Sequence, residues 1–125
     1  MDWVIRAGLI ELALGALLGW AMVVREERPE WLKRIGVVAP ARIRQVHLDY
    51  VMMGLILIGV GLAVPDLPTW IAAYLAFGTF VNPLLFLPLA FDPDVEGRLW
   101  YRSIAVVSFI GVSGGLVAAA IVGPG

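Results

Sequence analysis

The side chains able to do chemistry in this chain are few, and one stretch gathers most of them. Residues 41–54 read A-R-I-R-Q-V-H-L-D-Y-V-M-M-G and hold the only histidine, His47. Arg42 and Arg44 precede it and Asp49 follows it, and the chain then runs into an apolar segment. Arg44 lies three residues before His47, on the same face of a helix that already runs there. An imidazole with a cation beside it suits an anionic, metal-bearing cofactor. Haem meets that description: its iron takes the His47 imidazole and its propionate meets the Arg44 guanidinium. The plainer reading is an interfacial histidine where a helix enters the bilayer. Asp49, two residues on, falls on another face and is expected to pair with Arg42, Arg44 or Arg102 at headgroup level. Two further polar groups sit inside apolar runs, Glu11 and Asn82. A carboxylate at the bilayer centre costs about 2.5–3.5 kcal/mol on insertion scales, so Glu11 is expected to be neutral, paired or at a cavity. Asn82 lines a site or bridges two helices.

The elements that must position these groups follow from composition. Of 125 residues, 61% are hydrophobic and 15% charged, with a mean hydropathy of +0.91. Soluble domains are roughly 45–50% apolar and about 25% charged, so the class is integral membrane. The absence of cysteine excludes disulfides, thiolate ligation and cysteine nucleophiles. A net charge of -1 says nothing about a partner, because the distribution of charge matters more than its sum, and nucleic-acid binding has no support. The first apolar run lacks a basic leader and a small-residue cleavage site, so it is read as a membrane helix and not a removable signal.

Four apolar segments, residues 3–24, 47–64, 68–91 and 102–122, approach the ~20 residues that span a hydrocarbon core. The expected fold is all-α, a single integral-membrane four-helix bundle. Pro83 and Pro88 predict a kink or an early end in the third helix. Lysine and arginine concentrate in the first loop (Arg25, Arg28, Lys33, Arg34, Arg42, Arg44), with Arg98 in the third and none in the second. The first and third loops are therefore expected to be cytoplasmic, with both termini on the other side, in a bacterial-type inner membrane. Trp3, Trp20, Trp70 and Trp100 stand near segment ends as interfacial anchors. Residues 27–34 read as a short amphipathic interfacial helix with Trp31 and Leu32 in the headgroups, or as a plain solvated connector.

Lipid gives helices little hydrophobic reason to associate, so small residues that allow close approach mark the packing faces. Gly8, Gly15 and Gly19 share a stripe with Glu11. Ser108, Gly111, Gly115 and Ala119 form another. His47, Gly54 and Gly61 are seven apart, and Gly78, Asn82 and Phe86 four apart. These faces are expected to point at protein; their partners cannot be read from spacing.

With four short helices, a basic loop and the run through His47 to Gly54, the chain resembles the styrene oxide isomerases and the related hydroxylaminobenzene mutases. In that family the second helix opens with a histidine followed seven residues on by a glycine, here His47 and Gly54. The third helix carries an aromatic and glycine-rich stretch ending in asparagine, here F-G-T-F-V-N at residues 77–82. The resemblance implies a trimer with haem b between subunits and His47 as axial ligand. It implies a small hydrophobic aromatic substrate that arrives through the membrane. Ferric iron would act as a Lewis acid on an epoxide oxygen; the C–O bond opens, a hydride shifts and an aldehyde leaves. The catalytic surroundings would be Asn82, Phe86 and Met53. The chain departs from the family at two of these. Met53 stands where the family has an asparagine and Phe86 where it has a tyrosine, so the pocket implied here is more apolar. A non-enzymatic accessory or structural subunit without cofactor is the competing reading, supported by the small-residue stripes. Electron transfer would need Met52, Met53 or a second subunit as another ligand, and a transporter has no inverted repeat behind it.

Overall fold

The computed structural model describes residues 2–125. Six α-helices and one 3-10 turn follow in order: α1 (Asp2–Glu27), α2 (Pro29–Arg34), α3 (Pro40–Ala63), α4 (Thr69–Leu84), α5 (Phe86–Phe91), the turn Pro93–Gly97, and α6 (Leu99–Val122). There is no strand among the described residues. Four stretches are long and apolar enough to cross a membrane: Asp2–Glu27, Pro40–Ala63, Thr69–Phe91 and Leu99–Val122. The chain is an all-α membrane four-helix bundle.

The boundaries differ from expectation where proline sets them. The second span was expected to begin at His47. It begins at Pro40, which occupies the first helical turn, where its missing N–H costs nothing. His47 therefore lies two turns inside α3, with Arg44 already helical. The third span breaks as its prolines predict. α4 contains Pro83 and ends at Leu84, and α5 resumes at Phe86 after Leu85. Side-chain hydroxyls hold the backbone around this break: Tyr101 donates to the Leu85 carbonyl at 2.6 Å, and Tyr50 to the Phe80 carbonyl at 2.8 Å.

The small-residue stripes find definite partners. α1 and α3 run antiparallel in the closest helix contact of the bundle. A Cβ added at Gly8 would stand 2.9 Å from the Gly54 carbonyl oxygen, and one at Gly54 would stand 2.7 Å from the Leu12 nitrogen. Gly15 faces Val51, Gly19 faces His47, and Gly61 faces Ile5. The other stripe joins α4 to α6. Gly78 meets Ser108 and Val112, Gly111 meets Tyr74, and Gly115 meets Leu75. α3 in turn packs on α4, so the order across the bundle is α1, α3, α4, α6.

Candidate functional site

His47 is half-buried on α3, and its ring lies over Gly19 of α1. Its Nδ1 hydrogen-bonds the Gly15 carbonyl. A carbonyl only accepts, so Nδ1 must carry the hydrogen and donate it. In the neutral ring the lone pair is then on Nε2, which has no protein partner among the described residues and is not sealed from the surroundings. Fixing one ring nitrogen on a backbone carbonyl and leaving the other free is the arrangement metal-ligating histidines adopt.

The ring forms part of the wall of a cleft of about 410 Å³ lined by Met22, Arg25, Glu26, Arg44, His47 and Leu48. Arg44 and His47 thus share one site, as their spacing predicts. Arg25 joins them from α1, a second cation that helical spacing on α3 could not reveal. All six lining residues belong to α1 or α3, so the facing wall of the cleft is open.

Asn82, Phe86 and Met53 are not gathered around His47 within the chain. Asn82 points toward α6, where Ser108 Oγ lies 3.3 Å from its Oδ1 and 3.2 Å from the Gly78 carbonyl. It borders a different, apolar cleft of about 340 Å³ with Leu85, Ala105, Val106, Phe109 and Ile110. Phe86 opens α5 and packs against the cluster of Leu89, Val95 and Tyr101. Met53 is half-buried on α3.

Glu11 is only 2% exposed. Thr79 Oγ1 of α4 donates to its Oε2 at 2.8 Å and lies 3.0 Å from the Ala76 carbonyl. Glu11 Oε1 is buried without a hydrogen-bond partner among the described residues. Thr79 was missed in the sequence because nothing in α1 says which helix its glycine stripe leaves room for. Glu11 binds α1 to α4 across the face of α3, so the structural side of its two sequence readings holds.

Asp49 does not pair as expected. The one ion pair among the described residues joins Arg98 and Asp92 at 3.4 Å. Arg42 instead donates to Gln45 Oε1 at 2.9 Å. Arg44 is turned to the His47 cleft, and Arg102 rides on α6, which packs on α4. Asp49 is half-buried without a cation.

Comparison of the chain with protein-family models, curated proteins and solved structures finds no match.

Proposed function

We propose that the protein binds haem b at His47 and acts as a membrane isomerase of the styrene oxide isomerase type on a small hydrophobic, aromatic substrate. The observation that carries this reading is the His47 ring itself: Nδ1 is held by the Gly15 carbonyl, Nε2 has no protein partner among the described residues, and the residue lines a cleft with Arg25 and Arg44. The residues present fit the group. A macrocycle would bring its own ring nitrogens to the metal, so one imidazole from the chain would be enough to hold it. Two guanidiniums at the cleft match two propionates, and Met22 and Leu48 offer apolar contact to the ring edge.

In this reading His47 Nε2 would hold the haem iron. The Gly15 carbonyl fixes the tautomer and orientation of the ring. Arg44 and Arg25 would hold the carboxylates. When bound, the haem iron supplies a Lewis acid that polarises a substrate oxygen. Met53 and Phe86, if they approach the substrate, exclude water and offer no hydrogen bond, which favours an apolar substrate. The open wall of the cleft and the distance of Asn82 from it within one chain favour a homo-oligomer, a trimer by resemblance, in which a second copy covers His47. The loops bearing Arg25 to Arg44 and Arg98 are cytoplasmic in this reading, in a bacterial-type inner membrane.

The test is an optical spectrum of the protein purified in detergent after expression with ample haem. A Soret band lost in His47→Ala, and weakened in Arg44→Gln, is the expected result. Haem-free protein under those conditions overturns the proposal.

A further inference from the structure

The first loop is a folded foot and not a connector, and its outward surface is amphipathic. α2 starts on Pro29 and is closed by Gly36, whose φ of +98° only glycine adopts without strain. The Val37 N–H donates to the Leu32 carbonyl at 3.0 Å and the Gly36 N–H to the Lys33 carbonyl at 3.1 Å. These are the paired bonds of a Schellman motif, with Val37 and Leu32 making its apolar contact. Both are buried, in one cluster with Ile43 and Ala90. The N–H groups of Val38 and Ala39 both donate to the Ala90 carbonyl of α5, at 2.8 and 3.0 Å. Leu32, expected in the headgroups, is therefore turned inward, and the segment is pinned to the bundle.

What remains outside has two characters. Trp31 is 52% exposed, Ile35 65% and Val38 64%. Between them stand Lys33 and Arg34, both exposed, with Arg28 just before α2. None of these cations forms an ion pair in the described residues, although Glu27 and Glu30 are close in sequence. A rigid segment has no conformational reason to leave three large apolar side chains outward; in water this would be unfavourable. Depth resolves the conflict. α1 has 26 residues, which at 1.5 Å each is about 39 Å, longer than a hydrocarbon core of about 30 Å but within the roughly 40–45 Å that includes the headgroups. The end of α1 therefore sets the foot among the headgroups, where apolar side chains reach acyl carbons and cations meet phosphates.

We propose that residues 29–38 form an interfacial foot that seats on anionic phospholipid, with Trp31, Ile35 and Val38 in the upper acyl region and Lys33 and Arg34 on the lipid phosphates. The charge decides the lipid class: the loop from Arg25 to Arg44 carries six lysines and arginines against three glutamates. The proposal is independent of any cofactor at His47.

The chain has no cysteine, so single-cysteine labelling is clean. Ile35→Cys and Val38→Cys, spin-labelled in the full-length protein in phosphatidylglycerol–phosphatidylcholine nanodiscs, should be relaxed by oxygen more than by a water-soluble nickel chelate. A label protected from both reagents means that a second copy or another protein covers the patch. A label more open to nickel means that the foot stands in water. Either result overturns the proposal. Both labelled sites are exposed, so neither substitution disturbs packing. The second arm measures the association of spin-labelled phosphatidylglycerol relative to phosphatidylcholine. Neutralising Lys33 and Arg34 together to Gln should lower that ratio by up to about thirtyfold, the scale for two cations at a charged leaflet. An unchanged ratio overturns the assignment of the phosphate contacts.

Discussion

Gly54 offers the sharpest test of how the bundle is held. A Cβ there would stand 2.7 Å from the Leu12 nitrogen, 2.8 Å from the Gly8 carbonyl oxygen and 3.1 Å from the Leu12 Cα. All three are backbone atoms, so no rotamer change relieves the clash and α1 must move off α3. Overpacking of this kind costs about 1–3 kcal/mol. Gly59, five residues further along the same helix, has no atom within 4 Å of an added Cβ. There the same substitution adds a better helix former, a gain of up to about 1 kcal/mol. Gly54→Ala and Gly59→Ala should therefore differ by about 1–4 kcal/mol, with opposite signs relative to the parent. Reversible unfolding in mixed micelles, followed by far-ultraviolet circular dichroism as denaturing detergent is raised, measures both. Because His47 sits on the same interface, Gly54→Ala should also disturb the contact between His47 and the Gly15 carbonyl, and Gly59→Ala should not. Equal stability of the two variants would refute the reasoning, since it would mean that α1 and α3 are not in backbone contact at Gly54.

The polar anchors of the bundle yield two more expectations from the same unfolding assay. Thr79→Val removes the one hydrogen-bond partner of the Glu11 carboxyl among the described residues and should cost about 1–3 kcal/mol, whereas Glu11→Leu leaves the Thr79 hydroxyl its Ala76 carbonyl and should cost less. The double variant should be more stable than Thr79→Val alone, and strict additivity would show that the two side chains do not interact. Tyr101→Phe removes the hydroxyl that holds the Leu85 carbonyl at the helix break and should cost about 0.5–1.5 kcal/mol. Tyr74→Phe, which gives up a bond to the Val107 carbonyl at an exposed site, should cost less than Tyr101→Phe.

Much of the architecture was legible from residue spacing, and for definite reasons. Spans are readable because a fixed membrane thickness imposes a length, and the break after Leu84 because a proline ring cannot donate. The glycine faces on α1 and α3 were readable as faces, yet their pairing was not. Gly8 meets Gly54 and Gly78 meets Ser108 through backbone geometry that no periodicity encodes. The start of α3 was misplaced by seven residues because hydropathy marks where lipid begins, while Pro40 marks where the helix begins. Within the candidate site, Arg44 beside His47 was legible because both lie on one helix. Arg25 and the Gly15 carbonyl were not, because they come from another. Asp49 shows the converse error. Proximity in sequence to Arg42 and Arg44 suggested a pair, but those cations are directed to Gln45 and to the His47 cleft.

The GxxxG of α1 joins packing to chemistry in a way that neither alone would require. A side chain at Gly15 would collide with the Val51 backbone nitrogen at 2.9 Å, so its absence is what lets α3 approach. That approach brings the Gly15 carbonyl within reach of His47 Nδ1. One turn later, Gly19 leaves the space in which the imidazole lies, with an added Cβ only 3.2 Å from its Cε1. The carbonyl that fixes the ring and the gap that receives it are thus products of the same two glycines that hold the helices together. A helix pair that needed only to associate could place its small residues anywhere along the seam. Here two of them lie against the chain's one histidine, and the ring they orient lines a cleft that also holds Arg25 and Arg44.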